Sequence, residues 1–210
     1  MFPIDTLLAY LAACVVVVLS PGPDNILAIS RGLSQGRLAA ALSSIGAGIG
    51  IMCHALAAAF GLSLIIQSSP QAFWLVKAVG ALYLLWLGYK ALAAGNLISF
   101  TPSAQVPLRK VFITGMLSNL LNPKPGLFVL AFLPQFVHAS RGSVTLQMLG
   151  YGAIFALLTA IIFTLMGGFA SRLAGWLQAR PRVVKGVNIG TGLTFIAAGL
   201  SVLSLKQRSV

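Results

Sequence analysis

Two short stretches of this sequence each set a single charge inside an apolar run that proline interrupts. One is Ser20-Pro21-Gly22-Pro23-Asp24-Asn25 and the other is Asn122-Pro123-Lys124-Pro125-Gly126. The chain holds only two acidic residues, Asp5 and Asp24, and Asp5 lies at the outer end of the first apolar run. Lys124 is the only charge between positions 111 and 140. At the centre of a membrane helix such a side chain costs about 2.5–3.5 kcal/mol on insertion scales, so it is a functional candidate by default. A carboxylate there can take an ammonium group or a proton. A lysine beside the amino end of a half-helix can take a carboxylate. Asp24 and Lys124 would then be the two poles of a site for a zwitterion. Two other roles stay open: a buried pair that only fixes packing, or an interfacial role for Asp24 beside Arg31 and Arg37.

Composition says what must position these charges. Of 210 residues, 58% are hydrophobic and 8% are charged, with a mean hydropathy of +0.96. A soluble domain carries roughly 25% charge, so a soluble enzyme, a disordered tail and a nucleic-acid-binding module are excluded. The +12 net charge is scattered between apolar runs, as cytoplasmic loop charge is in membrane proteins. A span needs roughly 20 apolar residues. The uncharged run at 38–76 is too long for one span and breaks at Ser68-Ser69-Pro70, whereas Gly95-Asn96, Pro102 and Pro107 make 91–108 a linker. The pattern predicts an all-α polytopic membrane protein with six helices, near 5–30, 39–66, 72–93, 110–138, 145–170 and 185–205.

Proline removes a backbone donor and clashes with the preceding turn. Two prolines in three residues should therefore break helices 1 and 4, and in lipid such breaks belong inside the bundle or beside a cavity. A shift of 102 residues superposes Pro21 on Pro123 and Pro23 on Pro125. Three helices reverse the chain, so helix 4 runs opposite to helix 1. The plan is a 3+3 inverted repeat in one transmembrane domain, 1–95 and 109–210 around a linker at 96–108, the usual architecture of a secondary transporter. Nine loop cations fall on one side, after helices 1, 3 and 5, and four on the other. The nine belong in the cytoplasm, with both termini outside. Met1–Ile4 lacks a cation, so the first run is expected to be a retained span and not a signal peptide.

The sequence resembles the LysE/RhtB family of amino-acid exporters, the lysine and threonine/homoserine efflux proteins. Pro21-Gly22-Pro23-Asp24 matches the first-helix motif, and Ser69-Pro70 with Gly80–Gly88 the third-helix region. Asn122-Pro123-Lys124 and Leu133-Pro134-Gln135-Phe136 match the fourth-helix region. The resemblance spans nearly the whole chain. It implies a multi-pass protein of the bacterial inner membrane that exports amino acids or close derivatives, driven by protons. By residue matching it points to Pro21, Gly22, Pro23, Asp24, Asn122, Pro123 and Lys124. Asn25, Asn119 and Gln135 are polar neighbours of these motifs. Pro125 departs from the pattern, where a small residue such as alanine is common. Helix 5 offers no ionisable group, only Thr159 and Thr164, which favours neutral, fairly apolar substrates.

His54, in the middle of helix 2, suits either a proton switch or a neutral hydrogen bond between helices. His138, beside Pro134, reads as interfacial. Cys14 and Cys53 read as small apolar packing groups. The expected partners are an amino-acid substrate, protons and the lipid bilayer, with a homodimer compatible and no nucleic acid, metal or cofactor. Two other classes compete. A thiol-electron carrier of the cytochrome c biogenesis type shares the 3+3 plan but needs a reactive cysteine in each half, and the second half has none. A passive small-solute channel would carry flux without proton coupling.

Overall fold

The computed structural model describes residues 3–20, 22–68 and 105–170, with individual positions between 78 and 93 and between 172 and 200. Among the described residues the protein is all-helical. The first expected helix is two: α1, Ile4–Leu19, and α2, Pro23–Gln35, whose axes differ by 63°. Gly36 then takes a positive φ of 82°, a conformation that favours glycine, and α3 begins at once, Arg37–Ser68. The expected loop after helix 1 is therefore one residue. Arg31 lies within α2, buried, and donates to Gln35 Oε1 at 3.2 Å, while Arg37 opens α3.

The fourth expected helix is also divided. α4 spans Leu108–Leu120 and α5 spans Pro123–Ala131, followed by 3₁₀ turns at Leu133–Phe136 and Ala139–Arg141. α6 spans Val144–Gly168, and its N-cap, Ser143, accepts from the Leu146 amide. At 25 residues α6 is about 37 Å long, enough to cross a hydrocarbon core of about 30 Å. α3 is long and apolar enough over Arg37–Gly61, and α1 with α2 qualifies as one bent span. The expected helices near 72–93 and 185–205, the break at Ser69-Pro70 and residues 96–104 lie largely or wholly outside the described residues.

α3 is the central element, packed on α4 along one face and on α6 along another. Small residues allow that closeness. A Cβ on Gly46 would strike the Phe112 carbonyl of α4, and one on Gly115 would strike the Ser43 carbonyl of α3. On the other face, a Cβ on Gly48 would lie 3.1 Å from the Ala156 carbonyl of α6. The Gly46, Gly48 and Gly50 series is thus a packing surface.

Aromatic rings join α1, α5 and α6. The Tyr10 and Tyr151 rings lie 4.6 Å apart, the Tyr10 hydroxyl donates to the Tyr151 carbonyl at 2.8 Å, and Phe128 meets Phe155 at 5.0 Å. The outward positions, such as Phe60, Leu157, Ile161 and Leu165, are exposed and apolar, suited to lipid. Gln35 binds Val106 through both ends of its side-chain amide, donating to the carbonyl at 2.7 Å and accepting from the N–H at 3.1 Å, which ties the end of α2 to the segment that leads into α4.

Candidate functional site

The two breaks arise for the same local reason. The first-turn N–H groups of a helix have no intrahelical partner, so proline there costs nothing and its fixed φ suits the turn. Pro23 opens α2, and Pro123 opens α5 with Pro125 still inside its first turn. Pro-x-Pro therefore starts a helix here instead of bending one. Measured by the helix starts the two breaks lie 100 residues apart, not 102, and Asp24 and Lys124 take the same position in their helices. Each charged residue is the second residue of its half-helix. Pro21 lies outside the described residues.

Asparagines stabilise both breaks. Asn25 folds back, accepting from the Gly22 amide at 2.8 Å and donating to the Ser20 carbonyl at 2.8 Å. Asn122 is the N-cap of α5, and its Oδ1 accepts from the Lys124 amide at 3.0 Å.

The charges are then exchanged between the breaks. Asp24, only 5% exposed, accepts at Oδ1 from Ser118 Oγ (2.8 Å) and at Oδ2 from Asn119 Nδ2 (2.7 Å) and Asn122 Nδ2 (2.9 Å). All three donors come from α4 and the second break. Lys124, 8% exposed, donates from Nζ to the Ser20 carbonyl of the first break at 2.8 Å. The lysine thus bonds a carbonyl freed by the break and not the Asp24 carboxylate. Gly22 makes room for the ammonium, because a Cβ there would lie 2.8 Å from Lys124 Nζ.

His54 reaches the second break from α3. Its Nε2 lies 3.3 Å from the Asn119 carbonyl, which only accepts, so this nitrogen is the donor. A Cβ on Gly126 would approach the imidazole to 2.9 Å, so glycine there seats the ring against α5. Asn119 therefore touches His54 through its backbone and Asp24 through its side chain.

Between the charges is a cavity of about 10 Å³, on the scale of one water. Asp24, Asn119, Lys124 and Pro125 form its polar side, and Val17, Val18, Ile51, Phe155, Thr159 and Phe163 the rest. The structure brings together Gly22, Asp24, Asn122, Lys124 and His54. Asn25 serves the first break as its cap. Gln135 is apart from these groups, in the 3₁₀ turn after α5, where its Nε2 donates to the Ala131 carbonyl at 3.1 Å. Ser118 and the Ser20 carbonyl are the partners that sequence reasoning missed. The available signal was only that Ser118, Asn119 and Asn122 are three polar residues within five positions of an otherwise apolar run. Both cysteines are free thiols, Cys14 buried and Cys53 half-buried.

Apolar helices carrying a buried acid and a buried amine at two interruptions are the pattern expected of a membrane transport protein. The chain belongs to the LysE type translocator family, whose profile matches residues 15–206. It is 32% identical over 200 residues to an uncharacterized membrane protein of Vibrio cholerae, covering 95% of this chain and 97% of that one. It is 30% identical to the homoserine/homoserine lactone efflux protein of Salmonella typhi, over 95% and 96% of the two chains. It is 28% identical to the leucine efflux protein of an Enterobacter strain, over 93% and 94%. No solved structure matches it significantly.

Proposed function

We propose that this protein exports neutral amino acids or close derivatives from the cytoplasm across the bacterial inner membrane, by proton-coupled alternating access. The observation that carries the reading is the exchange of charges, with Asp24 held by the second break and Lys124 by the first. The names of the efflux relatives support the substrate class. The six-span 3+3 arrangement, with repeats at 1–95 and 109–210 and both termini outside, rests on the loop charges and on half-helices that begin 100 residues apart.

In this mechanism the substrate replaces bonds that the protein now makes with itself. Its ammonium group competes with the Ser118, Asn119 and Asn122 donors at Asp24. Its carboxylate competes with the Ser20 carbonyl for Lys124. A cavity of about 10 Å³ is far too small for an amino acid, so in this mechanism binding parts the two breaks. A proton on Asp24 excludes an ammonium there, which couples the two fluxes. His54, in contact with the same Asn119, is a second group through which a proton can act.

The test is efflux from cells fed mixed dipeptides, reading all released amino acids at once. The wild type should release a narrow set of neutral amino acids. Asp24→Asn, at equal membrane abundance, should release none of them above background. Equal release by both would remove Asp24 from the mechanism.

A further inference from the structure

Resting on the reading of this site as an amino-acid site, we infer that Thr159 is its specificity-determining residue and that its hydroxyl selects neutral amino acids bearing a side-chain hydroxyl. A threonine inside a helix ordinarily bonds its hydroxyl to the carbonyl four residues earlier. Thr159 does not. It is 1% exposed, its Oγ1 has no hydrogen-bond partner, and it lines the cavity that Asp24 and Lys124 share. A buried hydroxyl without a partner costs free energy, and a ligand group that pairs with it recovers that cost.

The neighbours of Thr159 define what that group is. Ile51, Phe155 and Phe163 offer only apolar surface to the same cavity, and α6 brings no charge to it. With a substrate's ammonium and carboxylate engaged at Asp24 and Lys124, its side chain extends along this apolar wall. Thr159 is the one uncharged hydroxyl there, able both to donate and to accept. A purely apolar wall barely rejects an isostere that adds a hydroxyl, whereas a site with its own unpaired polar group rejects the isostere that lacks one. The inference therefore separates two substrate classes that share the same ends: hydroxylated side chains, which Thr159 would favour, and aliphatic ones of equal size.

Homoserine and norvaline form such an isosteric pair. The full-length protein, reconstituted in liposomes loaded with homoserine, would exchange labelled homoserine against either amino acid as competitor. The wild type should be inhibited by homoserine about tenfold better than by norvaline, the worth of one hydrogen bond in an apolar setting. Thr159→Val should bring the two within about twofold, and Thr159→Ser should keep the preference. If the valine variant fails to insert, Thr159→Ala makes the same comparison. Equal inhibition in the wild type, or an undiminished preference without the hydroxyl, would overturn the inference while leaving amino-acid exchange in place. No exchange at all by the wild type, across this pair and the wider neutral set, would instead overturn the export reading and this inference with it.

Discussion

At the scale of residues, the site depends on small groups as much as on charged ones. Lys124 Nζ meets the Ser20 carbonyl beside position 22, where a Cβ would lie 2.8 Å from the ammonium and oblige it to shift. Gly22→Ala should shift the ammonium and lower export, but less than Lys124→Gln, which removes the charge, while the protein still inserts. Normal efflux by Gly22→Ala would show that this placement of the lysine is not needed. His54 donates to the Asn119 carbonyl, a role that glutamine can also fill but without titrating. His54→Gln should therefore preserve folded protein and alter the pH profile of transport. An unchanged profile would leave His54 a purely structural donor. Asp24 and Lys124 were legible in the sequence because charge is so scarce in this chain. Ser118 was not, because serine in an apolar helix usually satisfies itself on its own backbone and nothing local reveals a partner 94 positions away.

At the scale of elements, proline explains both what the sequence revealed and what it misplaced. Pro-x-Pro inside an apolar run announces a break, and both breaks are present. It does not say which proline begins the new helix, because either can occupy a first turn. The 102-residue register followed from matching proline to proline, and the helix starts at Pro23 and Pro123 shift it to 100. The Gly36 turn was similarly hidden. Arg31 and Arg37 read as loop cations, but one positive-φ glycine suffices to join α2 to α3. Asn122 has two duties, capping α5 and donating to Asp24. Asn122→Ala should lower stability by about 1 kcal/mol for the cap, and more for the buried carboxylate it deprives of a donor. Thermal unfolding in detergent measures this, and a melting temperature equal to wild type would contradict the bonding described. Gly115→Val should be more disruptive, because α3 and α4 touch backbone to backbone there. Its yield of inserted, monodisperse protein should fall sharply.

At the scale of the whole molecule, the family membership and the exposed apolar positions of the described helices agree on a membrane transporter of the LysE type. The Gln35–Val106 bonds set the α2–α3 turn and the segment that leads into α4 on one side of the bundle. That is the side the loop cations assign to the cytoplasm. Single cysteines in a Cys14→Ser/Cys53→Ser background test this arrangement. An impermeant thiol reagent added to intact cells should label Ser140→Cys and spare Gln105→Cys. The reverse pattern would invert the topology. The same background should still export, whereas a thiol-electron carrier would lose its function. In the proposed mechanism the two breaks jointly form one site, with Asp24 and Lys124 as its poles. Substrate binding to the purified full-length protein tests it most directly, read as the ligand-dependent rise in melting temperature for wild type, Asp24→Asn and Lys124→Gln. The ligand is the amino acid that the efflux panel selects. Both variants should bind at least about 30-fold more weakly than wild type, as loss of one member of a buried charged contact costs 2–5 kcal/mol. Wild-type affinity in either folded variant would contradict the claim.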